Sequence, residues 1–316
     1  MSQAMSSVAV IDLGSNSMKV LVAERSVDGQ LTARKTRTID ARISAGISQA
    51  RPHLSEEGMA RGIDAVKALL NDAAVFAPQS IAMVATSAVR DAVNGPDFQQ
   101  RVAAATGHSI RILSGEEEAN LVGRGLTCDP ALSGLRDFYV FDLGGGSLEC
   151  LTFHNRRIQQ AVSLPLGCVR LTEKFVPNPS QPFTEESRAA ITAHIRAALP
   201  AGDFKFSLPK NSIAVGTGGT LTTARAILGA QKGLNLEKTD ALITLDQLRQ
   251  LLGWIGALPL SGRQPIAGLP APRADIFPAA LATFIAVAES GGFEAYRNSF
   301  YNLRWGLAAE LLDANH

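Results

Sequence analysis

One segment of this sequence is written twice. VAVIDLGSNSMKVLV at Val8–Val22 aligns without gaps to FYVFDLGGGSLECLT at Phe138–Thr152. Asp12 matches Asp142, Leu13 matches Leu143, Gly14 matches Gly144 and Ser17 matches Ser147, while Val10 and Leu21 meet Val140 and Leu151. Each copy reads as a β-rich apolar run, an Asp-x-Gly-x-x-Ser loop and a second apolar run. Two copies of one supersecondary unit predict a duplicated fold related by a pseudo-twofold axis. Halves of that kind are expected to face each other across a cleft, a usual place for ligands.

Between and after the copies, strand-like and helix-like segments alternate, the pattern of α/β architecture. Ile81–Ala85 and Ile110–Leu113 read as strands, each leading into a helix. Glu56 to about Val75 has helical spacing through Ala60, Ile63, Val66, Leu69, Leu70 and Ala73, with Ser55 as its cap. A turn is expected at Asp28-Gly29. The run IFPAALATFIAVA is too short to span a bilayer and reads as a buried helix. The pattern restarts after Cys128-Asp-Pro-Ala, which sets the expected domains at 1–126 and 127–316, with the C-terminal helix able to pack back on the first. At 316 residues the chain has enough length for two cores.

Composition narrows the partners. Hydrophobic residues make up 46% and charged residues 19%, and the net charge is +1. That excludes a disordered chain and offers no global field for nucleic acid or a membrane surface. A polyanionic ligand therefore needs a locally basic site. Cys128, Cys150 and Cys168 form no CxxC pair and are odd in number, which predicts reduced thiols and a cytoplasmic protein. The start, MSQAMSSVAVID, has no basic region followed by a long apolar run, so no secretory leader is expected.

Three glycine loops carry the chemistry. Besides the two Asp-Gly loops, Ala214-Val-Gly-Thr-Gly-Gly-Thr220 lies between a strand at Ser212–Val215 and a helix at Thr220–Leu228. Glycine lets backbone N–H groups converge there, and a helix N-terminus adds partial positive charge, so phosphate is the natural guest. The alternative for each loop alone is a tight turn that needs glycine for geometry. GxxxxGK[ST] is absent, so none is a Walker A loop. Arg90 in ATSAVRD suits phosphate binding through its guanidinium fork, or else an ion pair with Asp91 or Asp97. Lys19 and Arg170 carry the same two readings. In SGEEEA, adjacent glutamates diverge by about 100° on a helix, so Glu116, Glu117 and Glu118 cannot all point one way. The histidine spacing suits no zinc site, and no Gly-x-Ser-x-Gly elbow appears.

DLGSNSMKVLV, ATSAVRDAVNGPDF, SGEEEA, VFDLGGGSLE, SLPLGCVRLTEKF, VGTGGT and PRADIFPAAL, taken in this order, resemble the motifs of the Ppx/GppA phosphatases. These are exopolyphosphatases and guanosine pentaphosphate phosphohydrolases, and the resemblance runs from about Val8 to the C-terminus. It implies two ribonuclease-H-like domains of the actin/Hsp70/sugar-kinase superfold facing a central cleft. It also implies hydrolysis of a terminal phosphoanhydride by water with Mg²⁺. By motif position Glu118 is the residue that orients and deprotonates the water, with Glu117 kept as its substitute. Asp142 and Glu149, helped by Asp12, are the metal-facing carboxylates. The phosphates fall to Gly144, Gly145, Gly146 and Ser147, to Gly216, Thr217, Gly218 and Gly219, to Arg90, and to Ser15, Asn16, Ser17 and Lys19 of the first loop.

Longer members of the family carry an added helical region of HD type, and this chain resembles the short two-domain form. Inorganic polyphosphate is the first substrate expected and pppGpp the alternative, with a homodimer among the assemblies left open. An ATP-dependent kinase or filament protein of the same superfold is disfavoured by SGEEEA upstream of DLGGGS. A sensor without turnover is disfavoured by retention of Glu118, Asp142 and Glu149.

Overall fold

The computed structural model describes residues 7–209 and 212–314. The opening residues, on which the absence of a leader was read, lie partly outside that range. The chain divides into two compact units, one running to Ser133 and resuming at Tyr301, the other spanning Gly134–Phe300.

In the first unit, β1 (Ser7–Leu13), β2 (Met18–Arg25) and β3 (Leu31–Ile39) form an antiparallel meander. After α1 (Glu56–Ala74), β4 (Ser80–Ala85) runs parallel to β1. Then follow α2 (Ser87–Asp91), α3 (Gly95–Thr106), β5 (Ile110–Ile112) parallel to β4, and α4 (Gly115–Thr127). The sheet order is β3-β2-β1-β4-β5. Ser55 caps α1 as its sequence position predicts, accepting from the Gly58 N–H at 3.0 Å.

In the second unit, β6 (Phe138–Leu143), β7 (Leu148–His154) and β8 (Arg157–Leu164) repeat the meander. The helices α5 (Cys168–Phe175) and α6 (Glu185–Ala201) precede β9 (Ile213–Thr217), which runs parallel to β6. Next come α7 (Gly219–Ala230), β10 (Leu242–Thr244), α8 (Leu245–Gly256), α9 (Leu260–Arg263), α10 (Phe277–Gly291) and β11 (Ala295–Asn298). The order is β10-β11-β9-β6-β7-β8. Without the added edge strand β10, it is the first sheet again, with β11 in the place of β5. The duplication read from fifteen residues thus extends to both sheets, and the chain has the expected α/β architecture of two like units.

The expected boundary at 126 falls seven residues short of Ser133. Asp129 accepts from the Ala131 N–H at 2.8 Å and turns the chain so that Leu132 is buried before the unit ends. The range 127–316 ends early as well, at Phe300, because the chain from Tyr301 onward belongs to the first unit, the packing-back allowed for the C-terminal helix. Its helix α11 (Leu303–Ala314) packs on α4, β1 and β2. Asp313 pairs with Arg25 and, at 2.7 Å, with Arg124. Two glycines make the helix crossing close. A Cβ on Gly125 would overlap the Asn302 carbonyl oxygen, and one on Gly306 would overlap that of Leu121. Gly125→Ala is therefore expected to destabilise the protein by about 1–3 kcal/mol through overpacking, measurable by denaturant unfolding.

The predicted buried helix is α10, which is apolar all round and buried from Phe277 through Ala288. Among the described residues no helix is long and apolar enough to cross a membrane, and the three cysteines form no disulfide.

Candidate functional site

The sequence-selected residues fall into two groups, one in each unit. In the first, β1 delivers Asp12 and the following loop to the carboxyl end of the strand, where open α/β sheets place ligands. Asp12 stands directly opposite Lys19 across the β1–β2 pair. Its Oδ1 is buried and accepts no hydrogen bond among the described residues. Burial pushes the carboxyl above its ordinary range, with Lys19 and Arg304 pulling it back. Ser15 Oγ meets Ser87 Oγ at 3.1 Å, tying the loop to the start of α2. Asn16 is held by Arg42, whose backbone N–H donates to the Asn16 carbonyl at 3.0 Å and whose Nε donates to Oδ1 at 3.2 Å. Arg42 adopts φ 45° to do so, a left-handed backbone that a β-carbon disfavours.

Three residues after Ser87 on α2, Arg90 turns toward α4. Its Nη1 donates to Glu118 Oε2 at 2.8 Å and to the Leu113 carbonyl at 3.1 Å. The neighbour Asp91 is at 3.5 Å, and Asp97 instead pairs with Arg101 at 2.8 Å. Glu118 is only 6% exposed. Its neighbour Glu117 has a different task. Its Oε2 accepts from the Ser114 N–H at 2.8 Å while Ser114 Oγ accepts from the Glu117 N–H, a closed capping box. Its Oε1 accepts from Arg111 at 2.8 Å. The Ser114 N–H and Arg111 hold the Glu117 carboxyl below its usual range. One glutamate thus builds the helix start, and the next is buried against a guanidinium.

In the second unit, Asp142 stands directly opposite Glu149 across β6–β7, the positions equivalent to Asp12 and Lys19. Where the first copy compensates its aspartate with its own ammonium, the second places two carboxylates on one face of the sheet. Like charges directly opposite destabilise a strand pair, so this pair suits a divalent cation. Glu149 is buried, and its Oε1 accepts from Ser163 Oγ of β8 at 2.7 Å, which fixes the carboxylate. No group of three or more His, Cys, Asp or Glu gathers to hold an ion among the described residues. The opposed pair itself is of the donor type Mg²⁺ takes, one or two carboxylates with the shell completed by water and substrate phosphate. The donor set fits the ion.

The glycine loops differ in how they are used. Gly144 N–H donates to the Ser147 carbonyl at 3.0 Å, closing the loop that contains Gly145 and Gly146. Gly218 has φ 85°, and a Cβ there would also overlap Asp142 Oδ1, so glycine is required twice over. Gly216 is a strand position, its carbonyl taken by the Ser299 N–H at 3.0 Å and its Cβ direction filled by Leu221. Thr217 is fully buried. Gly219 opens α7, and a Cβ on it would meet Arg273 Nη1 at 2.5 Å. The Arg273 guanidinium therefore lies against the Gly218–Gly219 turn. Its Nε is buried and makes no hydrogen bond among the described residues. Arg273, like Arg42 and Ser163, was given no role from the sequence. Its only signal there is membership of PRADIFPAAL, more than fifty residues from the loop it touches.

A family model described as the Ppx/GppA phosphatase family matches residues 21–315. The curated guanosine-5'-triphosphate,3'-diphosphate pyrophosphatase of Vibrio cholerae serotype O1 is 31% identical over 314 residues, 99% of this chain. Its namesake in Vibrio vulnificus is 32% identical over 304 residues, 96% of this chain. The chain spans 61% and 59% of the lengths of those two relatives. Among solved structures, the Aquifex aeolicus member of the Ppx/GppA protein family matches with a TM-score of 0.79 at 25% identity, covering 99% of this chain and 100% of that one. An exopolyphosphatase from Cytophaga hutchinsonii shares the fold with a TM-score of 0.86 at 24% identity, covering 98% of each chain.

Proposed function

The chain belongs to the Ppx/GppA phosphatase family, and from that premise we propose that it hydrolyses a terminal phosphoanhydride bond with water as the nucleophile. The water oxygen attacks the terminal phosphorus, the bridging P–O bond breaks, and orthophosphate leaves the shortened chain. Glu118 takes the proton from the attacking water. The observation that carries this reading is the placement of Glu118, a buried carboxylate oriented by Arg90 at 2.8 Å, beside a half-buried Glu117 whose oxygens are both committed elsewhere. A general base needs that fixed orientation more than it needs unusual basicity.

Asp142 and Glu149 are the proposed holders of Mg²⁺, which when bound neutralises charge on the phosphate oxygens. Arg273 and the backbone of Gly144–Ser147 and Gly218–Gly219 receive the phosphates. Asp12, already compensated by Lys19 and Arg304, is assigned a supporting electrostatic part. In this reading Arg90 orients the base.

For the substrate, the sequence favours inorganic polyphosphate first, whereas the names of the Vibrio relatives favour pppGpp. We therefore place pppGpp first, converted to ppGpp and orthophosphate. Polyphosphate stays as the second reading because none of the residues assigned to the site is aromatic, so nothing among them selects a guanine base over a phosphate chain. Phosphate release with Mg²⁺ on both substrates is the test. Release from pppGpp with the higher kcat/KM is the expected result; no release from either substrate overturns the hydrolase reading.

A further inference from the structure

We infer that Arg170 is a positioning residue that fixes the direction of the phosphate-facing amides in the loop Gly144–Ser147. The inference rests on the proposed reading of that loop as a phosphate cradle. In a trans peptide the C=O of one residue and the N–H of the next point in opposite directions. Whatever holds the carbonyls of Gly144, Gly145 and Gly146 therefore aims the amides of Gly145, Gly146 and Ser147 the other way.

The start of α5 holds all three carbonyls. The Cys168 N–H donates to the Gly144 carbonyl at 3.0 Å, and the Val169 N–H donates to that of Gly145 at 2.8 Å. The Arg170 N–H reaches the same Gly145 carbonyl at 3.3 Å. The third carbonyl, of Gly146, accepts from the Arg170 side chain through Nε at 3.1 Å. The amides of Gly145, Gly146 and Ser147 donate to no acceptor among the described residues. Three successive N–H groups turned outward from one loop make an anion-binding concavity. The helix and loop are pressed together by Gly167, where a Cβ would overlap the backbone of Gly145 and Gly146.

Two of the three carbonyls are held by backbone N–H groups, which no side-chain substitution short of proline removes. The third depends on a side chain, so the Gly146–Ser147 peptide is the one a mutation can release. Arg170 was read from the sequence as either a phosphate ligand or a surface ion pair. Its Nε acts on the back of the loop, through the peptide that presents Ser147.

The test uses the full chain with Arg170→Ala and Arg170→Lys. Arg170→Ala is expected to speed hydrogen exchange in the 144–147 segment without changing β6 or β9. It is expected to lower kcat/KM roughly tenfold, less than the hundredfold or more for deleting an oxyanion donor outright. Millimolar guanidinium restores part of the lost rate to Arg170→Ala, and Arg170→Lys keeps part of it, because each again offers a donor to the Gly146 carbonyl. A residue that merely supports the fold would lose rate in step with melting temperature and gain nothing from guanidinium; that pattern, or an unchanged kcat/KM, overturns the inference. Calorimetric binding of tripolyphosphate with Mg²⁺ separates the two proposals. If the wild type hydrolyses neither substrate but binds tripolyphosphate, weaker binding by Arg170→Ala upholds the positioning role while the hydrolase reading falls. Equal binding by both proteins, or none by either, sinks the positioning role.

Discussion

Glu118→Gln is expected to lower kcat by roughly a thousandfold, the middle of the range for removing a positioned general base. Substrate affinity should stay within about threefold of the wild type, since a base that works through one water contributes little to ground-state binding. The substitution is nearly isosteric, and the glutamine Oε1 can still accept from Arg90 Nη1, so the half-buried guanidinium keeps its acceptor. Fold stability is therefore a poor explanation for any loss. The neighbouring substitution supplies the contrast. Glu117→Gln weakens the capping box and the Arg111 pair, with an expected cost of about 0.5–1 kcal/mol and near-normal kcat. Single-turnover phosphate release and calorimetric binding, run on both variants, separate chemistry from affinity. Near-wild-type turnover in Glu118→Gln removes it as the base, and a large kcat loss in Glu117→Gln would transfer the role.

The division of labour between these glutamates shows where sequence reading reaches its limit. SGEEEA announces a helix start, because capping by Ser114 and Glu117 is local and follows from spacing alone. The burial of Glu118 is not local. It depends on Arg90, twenty-eight residues away, turning from α2 to α4. The duplicated hairpin was legible for the same reason as the cap: strand, loop and strand are contiguous, and the repeat supplies its own control. The return of α11 to the first unit was open in the sequence but fixed by no pattern near residue 301, since it rests on Gly125 and Gly306 closely approaching the carbonyls of Asn302 and Leu121. Arg273 was invisible as a loop partner until the chain placed it against Gly219.

The opposed carboxylates of Asp142 and Glu149 lead to an expectation with two signs. Glu149→Gln keeps an acceptor for Ser163 Oγ, so the β7–β8 contact survives. It removes one of two negative charges facing each other across β6–β7, and without Mg²⁺ the variant should gain up to about 1 kcal/mol. With Mg²⁺ the order reverses. If the ion binds the carboxylate pair, ten times its Kd adds about 1.4 kcal/mol to the wild type, and the variant forfeits most of that increment. Thermal melts across an Mg²⁺ titration should therefore cross, with the variant higher at zero Mg²⁺ and the wild type higher near saturation. Activity should follow the second half of that curve, with the Mg²⁺ requirement raised at least tenfold. The first copy supplies the physical comparison, since the residue opposite Asp12 is Lys19 whereas the residue opposite Asp142 is Glu149. Parallel melting curves and an unchanged Mg²⁺ titration would exclude Glu149 as a ligand and leave the opposed acids without the cation proposed for them.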